Sequence, residues 1–205
     1  MKNYRLLWVI AIVLALLGSA LKLWHQKRER EWQAVLLESD RQDAIRVAEF
    51  GRRMGEFQAK GLINNAGALK SELGVYYNEG KWNGPDSKVM LLAEERYKRS
   101  PKAGLMVFEE LCRVFDNNAE MSEWISEDFN TFAYKDPAKF ARAAAGLSPA
   151  SFDCLPKYLD LGWAQGAPED VQPENDKLLA YLRAYPVKGN PNVRKLITQL
   201  EYLRK

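Results

Sequence analysis

The N-terminal region contains the longest apolar stretch of the chain. Residues 6–21 form an uncharged run of sixteen residues behind a short basic leader. A helix needs roughly 20 apolar residues to cross a bilayer core, so the ends of this run must contribute. Arg5 and Lys22 have stems long enough to lift their charges to the headgroups, and Tyr4 and Trp24 lie at interfacial spacing. Tyr4 to Trp24 is therefore predicted to span a membrane.

The same segment also has features of a cleaved signal peptide. Gly18, Ser19 and Ala20 supply small residues at the positions of a cleavage site. The uncleaved anchor is favoured because basic residues follow at once and no turn former interrupts residues 21–50. Lys and Arg are more numerous behind the run than before it, which favours a cytoplasmic domain, whereas the basic leader favours export. The preferred prediction is a bacterial inner-membrane protein with a periplasmic domain; a cytoplasmic domain is the alternative.

Behind this segment, which occupies 1–24, apolar residues recur at helical spacing. Residues 22–60 contain no proline, and their first glycine is Gly51, so one long helix or two are predicted, ending at Gly61. Residues 62–77 repeat apolar positions at intervals of three and four, which indicates another amphipathic helix. The segment 25–77 is predicted to form long, stalk-like helices. A loop rich in glycine and asparagine over 78–85 would separate it from a distal domain at 86–205.

The distal domain is divided into short helices by capping residues and prolines. Ser-Pro or Asp-Pro dipeptides at 100, 136 and 148 combine a capping side chain with a proline suited to the first turn. The first predicted helix is capped at 86 or 87 and ends at 99. Six further helices are predicted over 100–115, 119–133, 137–145, 149–161, 174–184 and 191–204. Pro156 is expected to kink or divide the fifth, and 165–173 is predicted to be a loop.

No segment alternates as a strand, so the predicted fold class is all-α. The N-terminal transmembrane helix would be followed by an irregular array of helical hairpins, either solenoid-like or a compact bundle, because no repeat period is present. The composition, with 47% hydrophobic and 28% charged residues, is that of a globular protein. A net charge of only +3 lacks the electrostatic footprint of a nucleic-acid-binding protein.

The two cysteines leave two possibilities open. Cys112 and Cys154 are 42 positions apart, and in an oxidising compartment they would close a long loop through a disulfide. Both also lie among apolar residues, where a free cysteine is common on a packed helix, and this reading is favoured.

Catalytic and metal-binding arrangements are sparse. The single histidine, His25, lies at the end of the apolar segment, which disfavours Ser-His-Asp and Cys-His mechanisms and histidine-rich zinc sites. No cofactor or metal is predicted. Carboxylate pairs such as Glu127-Asp128 are adjacent in sequence, and adjacent residues on a helix do not face each other. Solvated helix faces are therefore favoured over carboxylate catalysis.

Charge distribution points instead to an interaction surface. Residues 119–170 contain four basic and nine acidic groups, so this stretch is the candidate for contacting a basic protein, although a solvated acidic face is the commoner outcome. Trp124, Phe129 and Phe132 are more typical of core residues than of partner contacts. For Trp82 in the predicted loop, a core position and a partner contact are nearly equally favoured. The candidate partner contacts are Trp82, Glu120, Glu123, Trp124, Glu127 and Asp128.

Two functional classes follow. The first is a membrane-tethered or exported helical module that binds another protein, as an assembly or adaptor factor or as an immunity protein neutralising a toxin; this chain would not be an enzyme. The second is a carboxylate-based hydrolase acting on an envelope polymer. A binding module should present a broad acidic surface with paired charges, whereas the hydrolase needs a deep pocket holding two acids with raised or opposed pKa values.

Overall fold

The computed structural model describes residues 2–79, 88–115, 118–159, 168–186 and 189–203, with the side chains of 2–16, 76–79, 119–120 and 168–172 excepted. Within these residues every regular element is helical, which confirms the predicted all-α class. The α-helices are α1 (Lys2–Ala59), α2 (Ala66–Glu79), α3 (Lys88–Arg99), α4 (Pro101–Val114), α5 (Ala119–Lys135), α6 (Pro137–Ala145), α7 (Pro168–Ala184) and α8 (Pro191–Tyr202). Two short 3₁₀ turns, Pro149–Ser151 and Leu155–Tyr158, lie between α6 and α7.

The chain divides into two compact units, and the first comprises Met1–Ile45. Its helix leaves large hydrophobic side chains 53–71% exposed: Leu17, Leu21, Leu23, Trp24, Trp32, Val35, Leu36, Leu37 and Ile45. No helix in the described part of the chain combines the length and the apolar character that a membrane crossing requires. The side chains of 6–16, which form most of the predicted anchor, lie outside that part, so the anchor stays a prediction.

The second unit, Arg46–Lys205, is built around one hydrophobic core. It begins within the segment 25–77 that the sequence assigns to stalk-like helices, because Phe50, Met54 and Phe57 of α1 are buried in this core. Leu69 and Leu73 of α2 join them. The largest buried side chains of the later elements are phenylalanines at positions 108, 115, 129, 140 and 152. Burying a side chain of this size stabilises the fold by about 2 to 3 kcal/mol.

A glycine allows α3 and α4 to pack closely. A Cβ atom at Gly104 would overlap the backbone of Tyr97, so only glycine permits this approach of the two helices. The Tyr97 ring then stacks on Phe132 of α5, with ring centroids 3.8 Å apart. This contact places one face of α3 against α5.

Several predicted boundaries agree with the structure and others differ. The helix predicted over 137–145 is α6, and Asp136 caps it by accepting a hydrogen bond from the Lys139 amide at 2.9 Å. Ser148 caps the next turn in the same way. The expectation that Ser100 caps α4 was wrong, because its side chain makes no capping hydrogen bond and the helix simply begins at Pro101. The helix predicted from 62 begins at Ala66, while positions 80–87 lie outside the described residues.

Two predictions around the prolines were wrong. The described part of the predicted helix 149–161 ends at residue 159 and contains two 3₁₀ turns instead of an α-helix. Pro156 offers no amide hydrogen, and neighbouring amides bind a side chain instead. The predicted loop over 165–173 is replaced from Pro168 onwards by α7, which continues through Pro173. Pro168 suits a first helical turn, and the packing of the later α7 residues Leu178 and Leu182 stabilises the helix despite the second proline.

The segment 148–159 is irregular, and side chains from three helices satisfy its backbone groups. Glu109 of α4 is only 1% exposed, and its carboxylate accepts hydrogen bonds from the amides of three consecutive residues, 153–155, at 2.9, 2.8 and 3.0 Å. Asn130 of α5 donates to the Tyr158 carbonyl at 3.1 Å. Lys195 of α8 donates to the Phe152 carbonyl at 2.9 Å. These bonds join the segment to α4, α5 and α8.

The structure joins Cys112 of α4 to Cys154 in a disulfide, with their Cα atoms 6.0 Å apart. The bond lies beside the carboxylate of Glu109, which accepts the Cys154 amide. The interpretation favoured from the sequence was that both cysteines are free in apolar surroundings, and the structure differs from it. The segment 148–159 brings Cys154 against Cys112 of α4. The covalent and hydrogen-bonded contacts hold the same short stretch of chain.

Replacing Glu109 by alanine is expected to lower the free energy of unfolding by about 3 kcal/mol, because three amides lose their charged acceptor in a buried setting. Urea unfolding of the full chain, followed by circular dichroism, measures this. The control is Glu123→Ala on the exposed surface of α5, which should change the value by less than about 0.5 kcal/mol. Equal effects of the two substitutions would contradict the role given to Glu109.

Removing the disulfide with Cys112→Ser and Cys154→Ser is expected to reduce stability by about 4 kcal/mol, because the bond closes a loop of 42 positions in the unfolded chain. Thermal unfolding with and without a thiol reductant measures this. The reductant should lower the melting temperature of the unsubstituted protein and leave that of the double variant unchanged. A double variant as stable as the oxidised protein would contradict this prediction.

Candidate functional site

A cleft of about 500 Å³ opens between α3, α5 and the start of α6. We refer to it as the α3–α5 cleft. It is lined by acids, lysines, two aromatic rings and one threonine: Glu94, Tyr97, Lys98, Asp128, Thr131, Phe132, Lys135, Asp136 and Lys139. The site therefore combines both signs of charge with an aromatic wall.

Helical spacing places the α5 groups in order along the cleft. Asp128, Thr131 and Lys135 are separated by three and four residues, so they share one face of α5. A rise of 1.5 Å per residue separates the first from the last by about 10 Å along the helix axis. The carboxyl group of Asp128 thus marks one end of the cleft, and Lys135 marks the other.

Asp128 is an acid in an unfavourable environment for its charge. Burial, together with the negative charges of Glu94 and Glu127, raises the pKa of its carboxyl group to about 7, although the positive charge of Lys98 acts in the opposite direction. Near neutral pH the protonated and ionised forms are therefore both populated. The group can donate a hydrogen bond in the first form and attract a cation in the second.

Glu94 and Lys98 form an ion pair on α3. The Lys98 ammonium group donates to the Glu94 carboxylate at 2.9 Å, and this hydrogen bond raises the pKa of Lys98. The two residues are one helical turn apart, in the order that favours such pairs. This pairing occupies one carboxylate oxygen of Glu94 and neutralises the lysine nearest to Asp128.

Tyr97 forms the aromatic wall of the cleft. It is only 5% exposed, and the Lys139 ammonium group lies 5.7 Å from the centre of its ring. Burial, together with the negative charge of Asp136, raises the pKa of its hydroxyl group beyond the usual range. That hydroxyl group has no hydrogen-bond partner among the residues that the structure describes. A buried hydroxyl group without a partner lowers stability by about 1 to 3 kcal/mol.

The predicted contact residues of α5 are divided between two surfaces. Glu123 and Glu127 are exposed and one helical turn apart, and neither forms an ion pair with a described residue. Trp124 is partly buried and packs against the core, as do Phe129 and Phe132, which are buried. Asp128 lies in the cleft. The side chain of Glu120 and all of Trp82 fall outside the described residues.

The α3 side of the cleft was not among the residues predicted from the sequence. Glu94, Tyr97 and Lys98 are distant from α5 in sequence, and the charges of the first and third resemble any solvated helical pair. The only available signal was Gly104, a glycine inside a predicted helix, which marks a close helix contact beside Tyr97.

Among the described residues, no group of three or more histidine, cysteine or carboxylate side chains is arranged to hold a metal ion. Comparison of the chain with protein-family models, with curated proteins and with solved structures finds no match. The chemistry of the site must therefore be argued from its own residues.

Replacing Asp128 by asparagine is expected to stabilise the protein by about 2 kcal/mol at about pH 8, since asparagine avoids the buried charge. A carboxyl group with a raised pKa in the folded state lowers stability as the pH rises from about 4 to about 7, so the gain should almost vanish near pH 4.

Urea unfolding across this pH range tests the expectation. Glu123→Gln, which removes an exposed carboxylate of the same helix, is the matched control and should give a difference with little pH dependence. A constant difference between the Asp128→Asn variant and the unsubstituted protein would show that Asp128 has an ordinary pKa.

Proposed function

We propose that this protein is a membrane-tethered or exported helical module that holds a basic segment of another protein, as an assembly or adaptor factor. The observation that supports this best is the acidic surface of α5 next to the α3–α5 cleft. Glu123 and Glu127 are exposed without an ion pair among the described residues, and Asp128 and Glu94 lie beside them in the cleft. Unpaired carboxylates of this kind attract basic partners and increase association rates.

The electrostatics of Asp128 support the same proposal. The charges of Glu94 and Glu127 both disfavour its ionisation, which means that the local potential is negative despite Lys98. A bound cation would lower this potential and stabilise the ionised carboxylate. The fold therefore leaves a surface whose charges are better satisfied in a complex than in the free protein.

The proposed attachment has two supporting observations. The helix of the first unit exposes Leu17, Leu21 and Trp24, which belong to the proposed anchor from Tyr4 to Trp24. The Cys112–Cys154 disulfide favours a domain outside the cytoplasm, because such bonds persist in oxidising compartments. We therefore propose a single-pass protein of the bacterial inner membrane with a periplasmic domain. A toxin-neutralising immunity protein is one form that such a module can take.

The hydrolase alternative has one observation in its favour. The raised pKa of Asp128, about 7, suits a general acid near neutral pH. Of the other two carboxylates of the cleft, Glu94 is bound by Lys98 at 2.9 Å, and Asp136 accepts the Lys139 amide at 2.9 Å as the cap of α6. These hydrogen bonds disfavour the use of either group as a free base or nucleophile. Binding is therefore the better supported proposal. Turnover of isolated envelope polymer, lost in the Asp128→Asn variant, would favour the hydrolase.

The binding proposal predicts that charge reversal on α5 abolishes capture of one specific protein. The variant Glu123→Lys with Glu127→Lys should reduce capture from native membranes by about tenfold or more, because like charges then face the basic segment. The matched control is Glu29→Lys with Asp40→Lys, which makes the same charge change on exposed positions of the first unit.

Tagged full-length chains are compared by pulldown and quantitative mass spectrometry, and protease accessibility then reports which side of the membrane the domain occupies. A protein captured equally by the unsubstituted chain and by the control, and lost with the α5 variant, is the expected result. Recovery of no such protein would contradict the binding module, and a protease-protected cytoplasmic domain would contradict the periplasmic placement.

A further inference from the structure

We propose that the α3–α5 cleft binds a single arginine or lysine side chain of the partner, with its cationic group against the carboxylate of Asp128. This inference rests on the proposed function and adds to it a defined subsite, separate from the exposed carboxylates of Glu123 and Glu127. The surface of α5 would attract a basic segment, and the cleft would accept one of its side chains.

The shape of the cleft agrees with a long side chain. Its volume of about 500 Å³ lies within the range of small-ligand sites, and its wall is formed by the rings of Tyr97 and Phe132. The aliphatic stem of arginine or lysine can pack along apolar surface of this kind while its charged group reaches a polar partner. Asp128, at one end of the cleft, then meets the charged tip.

The Tyr97 hydroxyl group is an independent sign of a ligand. It belongs to a cleft-lining residue whose side chain is more than nine-tenths buried, and it lacks a partner among the described residues. A phenolic oxygen accepts hydrogen bonds from a guanidinium or ammonium group. A cationic side chain in the cleft would thus give this buried group the hydrogen bond that the described fold does not provide.

The lysines of the cleft do not favour an anionic ligand. Lys98 is paired with Glu94 at 2.9 Å, and Lys139 lies over the Tyr97 ring, near Asp136 at the start of α6. Lys135 is exposed at the end of the cleft away from Asp128. The negative charges of Glu94 and Glu127 act directly on Asp128, so the end that holds Asp128 attracts a cation.

The subsite should be sensitive to pH because the ligand requires the ionised form of Asp128. With a pKa of about 7 in the free protein, the ionised fraction rises about tenfold between about pH 6 and about pH 8. The affinity for the cation is expected to rise by a similar factor over this range. The other charged or titratable groups around Asp128 are Glu94, Lys98, Glu127, Tyr97, Lys135, Asp136 and Lys139.

The test uses the full chain in detergent and a fluorescent glycine-serine peptide that carries several arginines. A second peptide has citrulline, the neutral isostere, at the same positions, and a third has glutamate. Fluorescence anisotropy at about 0.15 M salt, where weak surface attraction is screened, gives each dissociation constant at about pH 6 and about pH 8. The arginine peptide should bind, with an affinity about tenfold higher at the higher pH.

Two cleft variants and one surface variant separate the subsite from the acidic face. Asp128→Asn should weaken arginine binding about tenfold at about pH 8 and abolish the pH dependence. Tyr97→Phe should weaken it a few-fold and keep the pH dependence. Glu123→Gln should reduce the affinity for the arginine peptide only slightly and should also keep the pH dependence. Circular dichroism and melting temperatures confirm that each variant is folded.

Three results would overturn the subsite: equal binding of the arginine and citrulline peptides, preference for the glutamate peptide, or an Asp128→Asn variant that binds arginine as the unsubstituted chain does. None of them affects the pulldown, which depends on Glu123 and Glu127. Failure of the subsite with retained capture of a partner would leave the binding module in place. Loss of specific capture with retained, pH-dependent arginine binding would contradict the module alone.

Discussion

The fold of the second unit depends on one buried carboxylate. Glu109 accepts the amides of residues 153–155, which form part of an irregular segment that cannot bond its own backbone, and Arg113 donates to the same carboxylate at 3.1 Å. A buried charge is tolerated when it is paired and fully hydrogen-bonded, and this one is. The segment then brings Cys154 to Cys112 and Phe152 into the core. Without Glu109, the three helices α4, α5 and α8 would lose the element that they share.

The same organisation explains why α5 can carry a binding surface. Its inner face is held by Ser126 and Asn130, both of which donate to the Tyr158 carbonyl at 3.1 Å, and by buried Phe129. The remaining faces are therefore not needed to hold the helix in place. Glu123 and Glu127 face solvent there, and Asp128 lies in the cleft. Structural and candidate functional residues alternate along one helix because its period is 3.6 residues.

Local signals in the sequence predicted the elements better than their contacts. The Asp136 cap and the following proline predicted α6 at its exact bounds, because capping is decided within a few residues. The region 149–161 was predicted wrongly because its conformation is determined by Glu109, about 44 positions earlier. The cleft was missed for the same reason, since Tyr97 meets Phe132 only through the packing of α3 on α4. The acidic character of α5 was visible, but its division into an exposed and a cleft surface was not.

Two acids of the second unit, Glu109 and Asp128, differ in how their charges are compensated. Glu109 receives three amides and a guanidinium group from the fold itself, so its charge needs nothing further. The charge of Asp128 is disfavoured by burial and by the repulsion of Glu94 and Glu127, while Lys98 is paired with Glu94. The pKa of Asp128 therefore rises to about 7. A carboxylate at this position weakens the free protein near neutral pH, which is typical of functional rather than structural groups. The missing compensation is a positive charge, and the open side of the cleft is where a partner can supply it.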